Sequence, residues 1–155
     1  VYERLSDVQA KAVTMGKIAD ILQARGELDK ALDKALEIRQ QEELPVYERL
    51  GDVREKAVVF GRIADIFRTR GQLDEALKIF KDKVLPVCEK IGDIRGILFC
   101  RTKIALLLHE MDTETNKEKI EELLRLALAD AQRLKLPNET EWIEDIMKKF
   151  RIKAQ

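Results

Sequence analysis

The sequence predicts an all-α protein built of stacked helical hairpins and closed by a C-terminal capping helix. Three observations carry this. Residues 1–32 and 46–77 are two copies of one segment, identical at 21 of 32 positions with an offset of 45. Apolar residues recur in steps of three and four, and strand-like alternation is absent. Aromatics are only 5% of the 155 residues and prolines number 3, a composition that favours helix over sheet. A repeat of this length is one supersecondary unit that buries its apolar face against its neighbours.

In the first copy the apolar stripe runs Val8, Ala12, Met15, Ile18, Ala19, Leu22, then Leu28, Ala31, Leu32, Ala35, Leu36. In the second it runs Val53, Ala57, Phe60, Ile63, Ala64, Phe67, then Leu73, Ala76, Leu77, Phe80. Gly26 and Gly71 fall between the two helices of each unit, where a left-handed residue ends a helix at little cost. A third, weaker copy begins at Val87 with an offset of 41, matching at Glu89, Gly92, Asp93, Arg95, Ile104 and Ala105, and degenerates beyond Leu108. The two offsets differ because the stretch from Gly26 to Pro45 holds four extra residues. A helix absorbs four residues with about 40° of rotation, so the second helix of the first unit is expected to be one turn longer.

Pro45 and Pro86 sit late in the second helices. Proline lacks an N–H and its ring crowds the preceding turn, so a kinked long helix is expected, with a break at Leu44 as the alternative. Gly51-Asp52 and Gly92-Asp93 mark the turns into the next units, the aspartates as N-caps. Met111 to Asn116 reads as a polar loop, and Thr115 with Glu118 has the capping-box spacing. A helix is expected over 117–135, stopped by Pro137-Asn138, and a last one from Thr140 to Arg151 with Trp142, Ile143, Ile146, Met147 and Phe150 on one face. The repeat units are bounded at about 8–50, 52–91 and 93–135, the capping helix at about 139–151, all within one domain.

Lys and Arg total 29 and so do Asp and Glu, so net charge is zero. That balance argues against a nucleic-acid partner. No run of apolar residues is long enough for a membrane span, and no secretory signal is visible. Cys88 and Cys100 form no close pair in sequence and have no second pair to complete a zinc site. They are read as buried small apolar residues in a reduced, cytoplasmic protein. No metal, cofactor, nucleotide loop or catalytic triad is indicated, so an enzyme is not expected. The start at Val1, inside the recurring pattern, is read as a segment of a longer protein.

These repeats resemble the tetratricopeptide repeat (TPR) family in its longer-period variety of about 40 residues. The family's core places correspond to Met15, Ile18-Ala19 and Leu22, and to Phe60, Ile63-Ala64 and Phe67. The third copy has Ile104-Ala105 and Leu108 but departs from the pattern with Arg101 and Asp112. The turn glycine corresponds to Gly26 and Gly71, the small residue of the second helix to Ala31 and Ala76, the following aromatic to Phe80 with Ala35 in the first unit, and the late proline to Pro45 and Pro86. The resemblance covers roughly residues 1–135 and implies an α-α superhelix (solenoid) whose first helices line a groove. It implies binding of a protein or peptide partner, as a scaffold module of the sort attached to larger bacterial signalling or defence proteins.

The groove-facing places implied by the resemblance are Val13, Gly16, Asp20, Gln23 and Ala24; Val58, Gly61, Asp65, Arg68 and Thr69; and Phe99, Thr102, Leu106, His109 and Glu110, with Lys17, Arg62 and Lys103 beside them. Lys17–Asp20 and Arg62–Asp65 also have the spacing of ordinary i,i+3 pairs. Gly16 and Gly61 lie mid-helix, where glycine costs about 0.5–1 kcal/mol relative to alanine; tight helix packing or ligand access would offset that. First helices that lack Asn do not suit a clamp for a C-terminal carboxylate. The alternative function is self-assembly, as a homodimer formed through the apolar surface expected at the N-terminal end.

Overall fold

The computed structural model describes residues 28–154. Ahead of them it describes positions 10, 13, 14, 16–18, 20, 21 and 24, which are helical. Gln23, Gly26 and the expected core positions Val8, Ala12, Met15, Ala19 and Leu22 lie outside the described residues. The elements are α1 Leu28–Ile38, α2 Leu44–Leu50, α3 Val53–Thr69, α4 Leu73–Ile79, α5 Leu85–Ile91, α6 Ile94–Met111, α7 Thr113–Arg133 and α8 Pro137–Lys149. Among the described residues every regular element is helical.

Local chemistry sets most boundaries. Gly51, Gly71 and Gly92 take φ of 66°, 78° and 68°, the left-handed conformation that closes a helix without a Cβ clash. Asp52 accepts the N–H of Glu55 at 3.0 Å and Asp93 that of Gly96 at 3.0 Å, so both aspartates cap as expected.

Pro45 and Pro86 do not break their helices. Residues 28–50 and 73–91 are continuously helical. The deformation is a π-helical turn just ahead of each proline, at Arg39–Glu43 and Phe80–Val84. There the N–H of Leu44 reaches the carbonyl of Arg39 and that of Leu85 the carbonyl of Phe80, five residues back. Widening the helix at that point eases the ring past the preceding turn. The extra turn of the first unit lies before the π turn: α1 has 11 residues and α4 has 7.

The C-terminal region differs from the sequence expectation. The loop between α6 and α7 is Asp112 alone, and Asp112, not Thr115, is the cap: its carboxylate accepts the Thr115 N–H at 3.2 Å and the Thr115 hydroxyl at 2.7 Å. An aspartate that satisfies two donors needs no longer loop. The last helix begins at Pro137 rather than Thr140, because proline fits the first turn where no N–H is needed.

The main core joins Phe80, Val84, Leu98, Ile104, Leu124 and Ile143 with their neighbours, drawing on every helix from α3 to α8. Two smaller clusters, Leu32–Ala35–Ile38–Ile66 and Tyr47–Val59–Ile63, tie α1 and α2 to α3. Three helices lie side by side in one direction. Arg54, Asp65 and Arg68 of α3 meet Asp93, Lys103 and Glu110 at and along α6 in order. Phe99 and His109 of α6 meet, in order, Trp142 of α8 and Phe150 at its C-terminal cap.

Counted back from the prolines, the counterpart of Phe80 is Arg39, not Ala35 as the sequence alignment suggests, and that of Val84 is Glu43. Arg39 and Glu43 are each only 1% exposed. Arg39 Nη1 donates to Glu43 Oε2 at 3.1 Å and Nη2 to Asp20 Oδ1 at 2.7 Å. Arg62 lies 3.5 Å from Glu43 Oε1, and a Cβ on Gly16 would lie 3.4 Å from the same oxygen. Arg39 Nε is buried without a partner among the described residues. One junction between units is thus ionic and the next apolar. Breaking a buried ion pair leaves a charge uncompensated, whereas replacing both members with apolar groups is often neutral or stabilising. Glu43→Val is therefore expected to lower unfolding stability by about 3 kcal/mol, and Arg39→Phe/Glu43→Val to be at least as stable as the parent. Chemical denaturation checks this; a double variant as weak as the single one would contradict it.

Candidate functional site

Between α3 and α6 lies a cleft of about 450 Å³. One wall is Ala57, Val58, Gly61 and Arg62 of α3; the other is Gly96, Phe99 and Cys100 of α6. Val84 of the second π turn, with Cys88 and Ile91 of α5, forms the floor, and Trp142 and Glu139 of α8 close one side. The floor exists because α4 and α5 form one helix through Pro86. The Phe99 ring stacks on Trp142 at 5.8 Å and 21° and stands edge-on to Phe80 at 6.3 Å. Lys103 Nζ sits 5.4 Å from the Phe99 centroid, within cation–π range.

The structure sorts the expected groove residues. Val58, Gly61, Arg62, Asp65 and Phe99 line this cleft. Asp65, Arg68, Thr69, Lys103 and Glu110 gather beside its far end. There Lys103 Nζ donates to Asp65 Oδ1 at 2.7 Å, and Arg68 Nε to Glu110 at 2.8 Å. The expected i,i+3 pairings are replaced: Asp65 bonds Lys103 and Asp20 bonds Arg39, each on another helix. Val13, Lys17 and Ala24 are exposed, while Gly16 is buried over the Arg39–Glu43 pair.

Three residues of the third copy are misplaced by the expectation. Thr102 is fully buried and donates its hydroxyl to the Leu98 carbonyl at 2.8 Å. Leu106 is half-buried against the core. The His109 ring stacks parallel on that of Phe150 at 3.7 Å, so the C-terminal end of α8 covers it. The groove register was carried over from copies that α8 does not flank.

Arg54, Arg95, Ile91, Glu139 and Trp142 were missed. Arg54 and Arg95 occupy the same place in successive repeats, at the offset of 41, and that recurrence was a readable signal. The contribution of α8 has no such signal, because it is not part of the repeat.

Cys88 of the floor and Cys100 of the α6 wall, distant in sequence, both line the cleft. Burial pushes both thiols up, the Asp93 charge adding to it at Cys88 and the Cys88 side chain at Cys100. Among the described residues no group of three or more His, Cys, Asp or Glu side chains could hold a metal ion. Among them, too, no helix is long and apolar enough to cross a membrane.

Comparison with protein-family models and with curated proteins finds no match.

The two cleft glycines differ. A Cβ on Gly61 would meet only the Phe80 ring, at 3.8 Å, an ordinary contact. A Cβ on Gly96 would lie 2.7 Å from Cys88 Sγ and 2.8 Å from the Asp93 carboxylate. Helix packing therefore demands glycine at 96 and not at 61. Gly61→Ala is expected to raise stability by about 0.5–1 kcal/mol, and Gly96→Ala to lower it by about 1–3 kcal/mol. Thermal denaturation would show the opposite signs; equal losses would refute the distinction. Because the thiolate is the reactive form, both thiols should react with a disulfide reagent at pH 8 at least about 100-fold more slowly in the native protein than in denaturant. Prompt reaction of either native thiol would contradict their burial.

Proposed function

We propose that the chain is a protein-interaction module of tetratricopeptide-repeat type, a solenoid of hairpins in which the α3–α6 cleft receives a peptide or a partner domain. The repeat at offsets of 45 and 41 supports the solenoid reading, as does the side-by-side, same-direction run of α3, α6 and α8. One observation carries the binding reading. Val58, Ile91 and Phe99 are large apolar side chains left exposed, and all three converge on the same cleft. Scattered exposed apolar residues are ordinary on a surface, but a convergent set in a concavity with charged edges marks an interaction site. The ion pairs Lys103–Asp65 and Arg68–Glu110 tie α3 to α6 at a fixed spacing, so binding would meet a preformed surface.

The test is a selection of displayed random peptides against the chain, followed by affinity measurement with Val58→Asp. A charge in the apolar wall should weaken selected peptides by at least about 10-fold, with helix content by circular dichroism unchanged. Selected peptides that bind Val58→Asp as well as the parent would place the interaction elsewhere.

A further inference from the structure

The cleft is a bounded cup rather than an open channel. Lys103–Asp65 and Arg68–Glu110 span from α3 to α6 beyond one end. Arg54 Nε approaches Asp93 Oδ2 at 3.8 Å across the other, and Arg95 Nε meets Glu139 Oε1 at 3.3 Å on the α8 side. The cleft volume of about 450 Å³, open on one side, falls in the range that holds one small molecule, about 300–1,000 Å³. Its interior is apolar: Val58, Val84, Ile91, Phe99 and Trp142.

The rim has equal numbers of acids and arginines, but they are not equally presented. The side chains of Arg54, Arg62 and Arg95 are 69%, 48% and 69% exposed, whereas those of Asp93, Asp65 and Glu139 are 21%, 39% and 22% exposed. Each acid is also engaged: Asp93 caps α6, Asp65 bonds Lys103, and Glu139 meets Arg95. The arginine contacts are long, 3.8 Å for Arg54 and 3.5 Å for Arg62. A guanidinium held this loosely can turn its paired N–H donors to an incoming anion. We infer that the cup binds a small apolar anion, an aliphatic or aromatic tail with one negatively charged head, its tail between Phe99 and Val58 and its head on Arg54 and Arg62. This rests on the reading of the cleft as the binding site and gives that site a free small ligand.

Trp142 is the only tryptophan of the chain and lines the cup, so its fluorescence reports occupancy directly. The experiment titrates the whole chain with decanoate and decylammonium below their micellar concentrations and with decanol below its solubility limit. Decanoate is expected to give a saturating change at a concentration at least about 10-fold lower than the other two, and Arg54→Gln/Arg62→Gln to weaken it by at least about 10-fold. Arg54 is exposed, and Glu43 keeps its bond from Arg39 when Arg62 is replaced, so the double variant should keep its fold, and circular dichroism checks that. An equal response to all three heads overturns the preference for an anion. A linear response that is the same in Val58→Asp means adsorption only and also overturns it. No response to any probe, with selected peptides still lost in Val58→Asp, overturns the small-ligand proposal and leaves the interaction reading intact. Decanoate binding without any selectable peptide does the reverse.

Discussion

The passage of the helix through Pro86 is the constraint on which the cleft depends. Proline removes one backbone donor and crowds the preceding turn, and the π turn Phe80–Val84 absorbs that conflict. The helix can then continue into α5, carrying Val84, Cys88 and Ile91 beneath the space between α3 and α6. Phe80, inside the π turn, supports both sides, facing Gly61 of α3 and the edge of Phe99 of α6. A helix that stopped at Leu85 would leave the two walls without a shared floor. The same device before Pro45 joins α1 to α2, but there the side chains inside the π turn are Arg39 and Glu43.

That substitution gives two nearly identical repeats different neighbours. At the first junction a buried arginine is held by Asp20 and Glu43, with Arg62 reaching Glu43 from α3. At the second, Phe80 and Val84 pack against apolar partners, and Lys103, the counterpart of Arg62, bonds Asp65 directly. A buried ion pair contributes little net stability, so its effect is on which surfaces match: an apolar face set on Arg39 would strand a charge. Among the described residues, the ionic junction packs its charged pair against Gly16, and the apolar junction leaves a cleft beside Gly61.

Much of the fold was legible because it is set locally. Glycine at a left-handed turn, aspartate at a helix start and apolar residues every three or four positions act within a few residues. Among the described residues the structure keeps the turns at Gly51, Gly71 and Gly92, the caps at Asp52 and Asp93 and much of the apolar stripe, while Ile18 and Val53 of that stripe are exposed. The misses have physical causes. Nothing local marks Arg39 and Glu43 as buried, because charge is rarely buried, and their mutual pairing with the tertiary partners Asp20 and Arg62 is what makes their burial tolerable. The four-residue insertion hid that Arg39 stands where Phe80 does. Of the candidate site, the α3 side was legible from the repeat, and Phe99 with it. His109 and Thr102 were misjudged because the third copy borrows its register from repeats that α8 does not cover. Trp142 and Glu139 enter the cleft only through tertiary packing.

Backbone amide hydrogen exchange over residues 76–91 tests the continuous floor most directly. If the helix runs through Pro86, the Leu85 amide, bonded to the Phe80 carbonyl, and the amides of Cys88 and Glu89 are protected to the same extent as Ala76 on the other side of the π turn. They then open together with the core. Fast exchange from Asp82 through Cys88, with protection kept at Ala76, would mean that the helix breaks at the proline and that the walls of the cleft are not held by a common floor.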